Sequence, residues 1–202
     1  MGEALTTGAL QEAIRRLAAH VETCADDLSA RDGALGDGDL GVTLVRGLRS
    51  VAEQAESLPA DVGLALLQCA KAFVSISGST FGTLLATGAM SAAKATQGRT
   101  EIPWQEAPDL LTGAREAMQR RGKAELGDKT LLDAVAATAE ALRGVTTPEG
   151  LLPAAIAATE TCLESFRARP SRQGRARMFG DRSIGLDDPG MVAWLRLLEG
   201  LA

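Results

Sequence analysis

The stretch Leu10-Gln-Glu-Ala-Ile-Arg-Arg-Leu-Ala-Ala-His-Val-Glu-Thr-Cys24 decides the fold class, because its apolar residues recur every three or four positions. This spacing places one apolar stripe along an α-helix. Thr7 precedes the stripe and is of a residue type that caps helix N-termini. We therefore predict a first amphipathic helix capped by Thr7, with its buried face formed by Leu10, Ile14, Leu17, Val21 and Cys24.

The rest of the chain repeats the order of helix, short loop and helix. Proline marks the first turn of three predicted helices, at Pro59, Pro148 and Pro189. Many Ala and Gly residues at the expected contacts imply close helix packing, and no Pro/Ser-rich linker divides the chain. The prediction is a single all-α domain over residues 1–202. Its helices after the first are predicted at residues 41–54, 59–77, 80–96, 104–121, 130–142, 148–167 and 189–202.

The composition excludes several classes of protein. Aromatic residues are only 3% of the 202 residues and Tyr is missing, which disfavours an all-β fold. The net charge of −5 argues against a nucleic-acid partner. Cys24, Cys69 and Cys162 are too far apart for a zinc site or a disulfide framework. Because the sequence has neither a signal-peptide pattern nor a membrane-spanning run, we expect a cytoplasmic protein that does not enter a membrane.

Three aspartates stand close together in Asp32-Gly-Ala-Leu-Gly-Asp37-Gly-Asp39-Leu-Gly-Val-Thr43, beginning in a loop predicted at residues 31–38. The Glu that an EF-hand needs at its twelfth position is missing. Crowded carboxylates repel one another, and such hard oxygen ligands suit Mg²⁺ that is shared with phosphate. The amides of residues 40–43 open the next helix, whose N-terminus attracts phosphate. The alternative is a solvated Asp/Gly turn without a metal.

Three further loops carry polar signals, and each has a simpler alternative. Residues 75–83 combine hydroxyl side chains with glycines, which lets backbone amides approach an anion, but the segment can equally be a kink between packed helices. In residues 122–130, Thr130 or Asp128 can simply cap the sixth helix. The basic, glycine-rich loop predicted at residues 170–185 offers arginines to phosphate, or is a solvated surface loop.

Taken together, these segments resemble the L (nucleotide-binding) subunit of dihydroxyacetone kinases, and the resemblance covers nearly the whole chain. The family fold is a barrel of eight antiparallel helices with the nucleotide site in loops at one end. That fold agrees with the eight amphipathic helices predicted above. The motifs that carry the resemblance, in the family's order, are Arg121-Gly-Lys-Ala124, Gly127-Asp-Lys-Thr130 with Asp133, Arg182-Ser-Ile-Gly185 and Asp188-Pro-Gly190.

The resemblance implies site residues by position. Asp32, Asp37 and Asp39 match the three aspartates that hold a pair of Mg²⁺ ions. The remaining matches contact ADP or ATP. They are Leu40, Gly41, Val42 and Thr43 in the turn over the phosphates, Ile76 and Ser77 in a second phosphate segment, Gly122 and Leu131 on the adenine side, and Arg175, Asp188, Pro189 and Gly190 in a C-terminal clamp.

The resemblance also implies a partner. In the family, a separate K subunit holds a short-chain ketose through a covalent bond to its own histidine. We therefore expect a kinase subunit that transfers phosphate to a small ketose, with the acceptor base supplied by the partner. The donor is Mg-ATP, or ADP that a phosphotransferase-system protein rephosphorylates in place. The sequence leaves this choice open, as it does a homodimer.

Five positions depart from the family pattern. Leu40 and Leu186 replace two histidines, Val74 and Ser75 replace a Gly-Gly pair, and Arg177 replaces a serine. None of the three aspartates is changed. Two alternatives therefore stay open: a related kinase subunit for another short ketose such as a tetrulose, or a nucleotide-binding regulator without turnover.

Overall fold

This computed structural model describes residues 4–76 and 78–202, which form eight α-helices and one short ribbon. In the ribbon, β1 (Ala4–Thr6) pairs antiparallel with β2 (Glu101–Pro103), so that Leu5 lies opposite Ile102. Turns of 3-10 helix cover Ala55–Ser57, Trp104–Glu106 and Ala176–Ser183. The α-helices are α1 (Thr7–Leu35), α2 (Leu40–Ala52), α3 (Val62–Ile76), α4 (Thr80–Thr96), α5 (Ala107–Gly122), α6 (Leu131–Leu142), α7 (Pro148–Arg167) and α8 (Pro189–Glu199).

The helices close into a ring. Each helix packs against the next one along the chain, and α8 packs against α1. Neighbouring helices run antiparallel, so the connections alternate between the two ends of the barrel. Residues 36–39, 78–79, 123–130 and 168–188 therefore lie at one end, which we call the Asp37 end. The prediction of an all-α barrel is confirmed.

The core of the barrel is lined by apolar residues at a regular spacing. Along α1 every seventh residue is buried: Ile14, Val21, Leu28 and Leu35. Seven residues are close to two helical turns, so these side chains form one inward stripe. Leu44 and Leu48 of α2 and Met191 and Val192 of α8 belong to the same buried cluster as most of that stripe. Among the described residues, no helix is long and apolar enough to span a bilayer.

Several predicted boundaries are wrong, above all at the end of α1. The loop predicted at residues 31–38 begins only at Gly36, because Leu35 continues the buried stripe and is only 2% exposed. Asp32 therefore lies on the last turn of a helix. The N-cap of α1 is Thr6 and not Thr7: the Thr6 hydroxyl accepts a hydrogen bond from the amide of Ala9 at 3.2 Å.

Other boundaries differ for similarly local reasons. The third helix begins at Val62 and not at Pro59, because the Asp61 carboxylate accepts the amide of Leu64 at 2.8 Å and so caps it. The helix predicted at residues 104–121 begins as the 3-10 turn Trp104–Glu106 and continues as α5. The loop predicted at residues 170–185 contains the 3-10 turn Ala176–Ser183. The fourth helix has the predicted bounds.

The barrel depends on close approach between helix backbones at glycine. An added Cβ on Gly63 of α3 would stand 2.5 Å from the carbonyl oxygen of Ala93 and from the backbone of Gln97, both at the C-terminal end of α4. A Cβ on Gly41 would likewise collide with the backbone of Ala25 on α1. Backbone atoms cannot rotate away as a flexible side chain can. The small residues predicted at helix contacts thus set the spacing between helices.

We predict that Gly63→Ala destabilises the chain. Alanine is the better helix former by about 1 kcal/mol, but its Cβ would force α3 and α4 apart. Overpacking of this kind typically costs about 1–3 kcal/mol. The measurement is the free energy of unfolding in urea. Gly144→Ala is the control, because a Cβ there meets nothing within 4 Å; equal stabilities for the two variants would contradict the packing argument.

Candidate functional site

Three carboxylates meet where α1 passes into α2. Asp32 projects from the last turn of α1, Asp37 lies in the four-residue connection, and Asp39 is the N-cap residue of α2. One oxygen from each carboxylate lies within 4.8 Å of the others. Asp32 is half-buried, whereas Asp37 and Asp39 are exposed. The structure thus brings together the three aspartates that the sequence predicted as metal ligands.

The Asp32 carboxylate also shapes the connection. Its Oδ2 accepts the backbone amides of Asp39 at 3.0 Å and Leu40 at 3.3 Å. A Cβ at Gly36 would stand 2.6 Å from Asp32 Oδ1, and Gly38 adopts a left-handed φ of 75° that favours glycine. The connection is therefore folded tightly around one carboxylate, and this folding turns Asp37 and Asp39 towards it.

This donor set fits Mg²⁺. Mg²⁺ prefers hard oxygen ligands and commonly takes one or two carboxylates together with phosphate oxygens and water. Three clustered carboxylates repel one another, and a divalent cation would relieve that repulsion. Asp39 makes no side-chain capping bond to α2, so its carboxylate remains available as a ligand.

The predicted turn over the phosphates is the first turn of α2. Its leading amides precede the first intrahelical acceptors and carry the partial positive charge of a helix N-terminus. Gly41 is buried, Val42 is exposed and Thr43 is half-buried. The side chain of Leu40 is only 5% exposed and packs in the core. Leu40 can therefore face a ligand through its backbone alone, and the imidazole of the family histidine has no counterpart here.

The connection between α7 and α8 reaches the acidic cluster. The guanidinium of Arg175 forms an ion pair with the carboxylate of Asp37. Further along the same connection, Asp187 pairs with Arg167 at 2.9 Å and with Arg31 of α1 at 3.5 Å. The predicted clamp residue Arg175 thus stands beside the predicted metal ligands.

Gly122 and Leu131, predicted for the adenine side, and Gly190 of the predicted clamp lie around two apolar side chains of α4. A Cβ on Gly190 would approach Phe81 at 3.6 Å and Leu131 at 3.7 Å, and a Cβ on Gly122 would approach Leu84 at 3.1 Å. Leu131 is buried in the cluster that Phe81 and Leu84 flank. Gly122, Leu131 and Gly190 are therefore neighbours.

The second phosphate segment is placed only in part. Ile76 is the last residue of α3 and is 52% exposed at the Asp37 end. Ser77 lies outside the described residues. On the far side of this connection, Ser79 caps α4 by accepting the amide of Gly82 at 3.0 Å.

Asp188 combines a structural bond with an altered pKa. Its carboxylate caps α8 by accepting the amide of Met191 at 2.9 Å, and Pro189 follows as a buried first helical residue. Burial raises the pKa of Asp188 to about 7, while the amides of Met191 and Gly190 and the ammonium of Lys129 act in the opposite direction.

The connection between α5 and α6 confirms one sequence prediction and adds a residue that the sequence did not reveal. Thr130 caps α6: its hydroxyl accepts the amide of Leu132, and the Asp133 carboxylate accepts the amide of Thr130 at 2.8 Å. Lys129, by contrast, is only 1% exposed. A lysine between two polar residues of a loop is normally exposed, so no sequence signal indicated its burial.

Known proteins are similar to this chain in sequence and in fold. The DAK2 domain model matches residues 34–202. The ADP-binding subunit DhaL of the PEP-dependent dihydroxyacetone kinase of Escherichia coli is 31% identical over 185 residues, 89% of this chain and 88% of the relative. The L-erythrulose 1-kinase of Mycolicibacterium smegmatis is 31% identical over 205 residues, 95% of this chain. This chain spans only 36% of that relative.

A solved structure shares the fold. The dihydroxyacetone kinase from C. freundii, in complex with AMP-PNP and Mg²⁺, aligns with a TM-score of 0.75 and 21% identity over 100% of this chain and 35% of that one. Fold and site together define the class: an eight-helix barrel that gathers acidic and basic side chains at one end. The chain belongs to the DAK2 domain family, and the resemblance predicted from its sequence is confirmed.

We predict that Asp188 gives the stability of the chain a pH dependence that Asp188→Asn removes. A free Asp has a pKa of about 3.9, so between about pH 4 and pH 7 the folded chain binds more protons than the unfolded chain. The free energy of unfolding therefore falls as the pH rises through this range. Asn remains neutral and can still cap α8.

The measurement is urea denaturation of both proteins at pH 5 and pH 8. The variant should gain stability relative to the unchanged chain at pH 8. A difference that is the same at both pH values would contradict the raised pKa.

Proposed function

We propose that this chain is the Mg-nucleotide-binding, phosphoryl-transfer subunit of a dihydroxyacetone-type kinase. The observation that carries the proposal is the cluster of Asp32, Asp37 and Asp39 within 4.8 Å, with the Arg175 guanidinium against Asp37. Phosphoryl transfer depends on positioning and on balancing charge at the phosphates, and little covalent chemistry is needed from the protein. Carboxylates for a metal and a guanidinium for phosphate are the residue types that this task requires.

The proposed roles follow from position. Asp32, Asp37 and Asp39 would hold Mg²⁺, with two ions expected; when bound, the metal would neutralise charge on the phosphate oxygens. The first-turn amides of α2 would donate to the phosphates. Arg175 would move from Asp37 alone to a position shared between that carboxylate and a phosphate oxygen. Gly122, Leu131 and the turn Asp188-Pro-Gly190 would line the base side.

The donor and acceptor are narrower proposals. We take ADP that is rephosphorylated in place as the first donor to test, because the Escherichia coli relative is named as the ADP-binding subunit of a PEP-dependent kinase. ATP as an exchangeable donor is the alternative. The acceptor would be a short ketose held by a K-type subunit, which would also supply the acceptor base.

One observation favours a second acceptor. A relative with 31% identity is named as an L-erythrulose 1-kinase, which acts on a tetrulose. Phosphorylation assays of this chain with a K-type subunit, offered dihydroxyacetone and erythrulose in parallel, would separate the two acceptors. Turnover with neither ketose, while nucleotide still binds, would favour the regulator without turnover.

The Asp37 end also offers a surface for a partner subunit. Six of the eight large hydrophobic side chains that the described residues expose belong to elements at this end. They belong to the connections and helix ends that carry the proposed site, which a partner that brings an acceptor to the phosphate would cover. We define this apolar rim as Val42, Ile76, Leu126, Met178, Ile184 and Leu186.

We predict that Asp37→Asn abolishes stabilisation by Mg-nucleotide. The change removes one negative charge from the metal ligands. It also removes the ion pair between Asp37 and Arg175. A ligand at a hundred times its Kd stabilises a protein by about 2.7 kcal/mol, so the unchanged chain should melt several degrees higher with Mg-ADP. Asp26→Asn, at an exposed position of α1, should keep the full shift. An unaltered shift in the Asp37 variant would refute the metal assignment.

We predict that Met178→Asp weakens association with a K-type subunit without changing nucleotide binding. Met178 is 71% exposed in the apolar rim, and a charge there would have to be desolvated in an interface. A loss of about tenfold or more in affinity is expected, measured by calorimetric titration. Leu64→Asp is the control, since Leu64 is exposed at the opposite end of the barrel. Equal losses in both variants would argue against docking at the Asp37 end.

A further inference from the structure

Lys129 is buried, yet among the described residues its ammonium group contacts no carboxylate directly. Its Nζ donates hydrogen bonds to three backbone carbonyls, of Arg169 at 2.8 Å, Ser183 at 3.0 Å and Arg167 at 3.5 Å. An ammonium has three donors, so each of them has an acceptor. Burial of a lysine is costly unless its charge is compensated in this way.

The three carbonyls belong to both ends of one segment. Arg167 and Arg169 lie where the chain leaves α7, and Ser183 lies at the end of the 3-10 turn before α8. Between these two points the chain carries Arg175. Lys129 therefore fastens the beginning of this segment to its end, from a position on the neighbouring α5–α6 connection.

Other bonds strengthen the same closure. The Ser183 hydroxyl accepts the amide of Ser171 at 2.8 Å and donates to the carbonyl of Gly180 at 2.6 Å. The amide of Arg172 donates to the carbonyl of Asp128 at 3.0 Å, next to Lys129 in sequence. These bonds involve Ser183, which is an acceptor of Lys129, and Asp128, its neighbour in sequence, so they act on the same closure.

The backbone and the surrounding charges also indicate a dedicated position. Lys129 has a left-handed φ of 63°, a conformation that non-glycine residues seldom adopt. Burial lowers the pKa of Lys129, while the carboxylates of Asp188 and Asp187 raise it. Lys123 offers a contrast in the same connection, because it has a φ of 56° but an exposed side chain.

We propose that Lys129 is a positioning residue for the phosphate-binding arginine: it holds the segment of residues 167–183 closed, so that Arg175 reaches the acidic cluster. Lys129 itself touches neither nucleotide nor metal. The inference rests on the proposed function in one respect, the role of Arg175 towards phosphate. The closure of the segment is independent of that role.

The first test measures the closure without any ligand. Amide hydrogen exchange in residues 170–186 should become at least about tenfold faster in Lys129→Met than in the unchanged chain, because local opening becomes easier. Exchange in α1 to α4 should not change. Lys123→Met is the matched control and should behave as the unchanged chain throughout. Unchanged exchange in residues 170–186 of the Lys129 variant would overturn the proposal.

The second test asks whether Lys129 acts through Arg175. Lys129→Met and Arg175→Ala should each weaken Mg-ATP binding by about tenfold, the usual value of one charge-assisted hydrogen bond. The double variant should bind no more weakly than Arg175→Ala, since residues that act as one unit are not additive. If Lys129 stabilised the fold without acting through Arg175, the two losses of Mg-ATP affinity would multiply in the double variant. That result would overturn the proposal.

Failure of the proposed function and failure of the proposed role of Lys129 give different results. If the unchanged chain binds no Mg-nucleotide, the proposed function fails, while the exchange experiment still decides whether Lys129 closes the segment. If Lys129→Met does not fold, as judged by circular dichroism, Lys129→Gln takes its place, because its amide retains donors for the carbonyls. Lys129→Gln should accelerate exchange in residues 170–186 and show the same non-additivity with Arg175→Ala; unchanged exchange or multiplied losses would overturn the proposal.

Discussion

Alternation of connections in a closed ring of antiparallel helices is the constraint on which the site depends. Because successive helices run antiparallel, the first, third, fifth and seventh connections lie at the same end. The packing of α8 against α1 closes the ring and brings the first and seventh connections together. Segments that are far apart in sequence thereby become neighbours, as Asp37 and Arg175 do. The spacing of the ring in turn depends on glycines such as Gly63, where helix backbones approach too closely for a side chain. The residues of the candidate site thus lie mainly in loops and helix ends that a rigid scaffold positions.

Electrostatics then divide the Asp37 end into parts with different tasks. The acidic part gathers three carboxylates that repel one another and so favour a cation. Arg175 partly balances this charge. The positively charged Lys129 ammonium donates its hydrogen bonds to backbone carbonyls and not to a ligand. Burial raises the pKa of Asp188 to about 7, so this carboxyl group is partly protonated near that pH. One end of the barrel thereby holds both groups suited to ligands and groups that fix the loops.

Sequence reasoning was strongest where a local signal is sufficient. The bounds of α4 and the capping of α6 by Thr130 are confirmed, because periodicity and capping act within one turn of chain. It failed where burial overrides local preference. Glycines and aspartates predicted a loop at residues 31–38, yet the burial of Leu35 keeps residues 31–35 of that segment helical.

For the candidate site too, the sequence predicted what a local motif shows and missed what burial and distant contacts decide. The three aspartates were visible as a motif, and the family membership that the ordered motifs together indicated is confirmed. The roles of individual site residues stay predictions, as does the extent of the domain over residues 1–202. Burial of Lys129 and the pairing of β1 with β2 could not be predicted, because both depend on contacts between segments that are distant in sequence.

Native mass spectrometry of the chain, purified without added nucleotide and then mixed with Mg-ADP or Mg-ATP, tests whether the Asp37 end binds Mg-nucleotide. We expect a mass increase that fits one nucleotide with Mg²⁺. If ADP and Mg²⁺ are already present after purification, a retained ADP with an external phosphoryl donor is favoured; uptake of Mg-ATP only on addition favours an exchangeable donor. A chain that takes up neither nucleotide would contradict the assignment of the Asp37 end as a Mg-nucleotide site, because the acidic cluster and Arg175 would then have no phosphate to position.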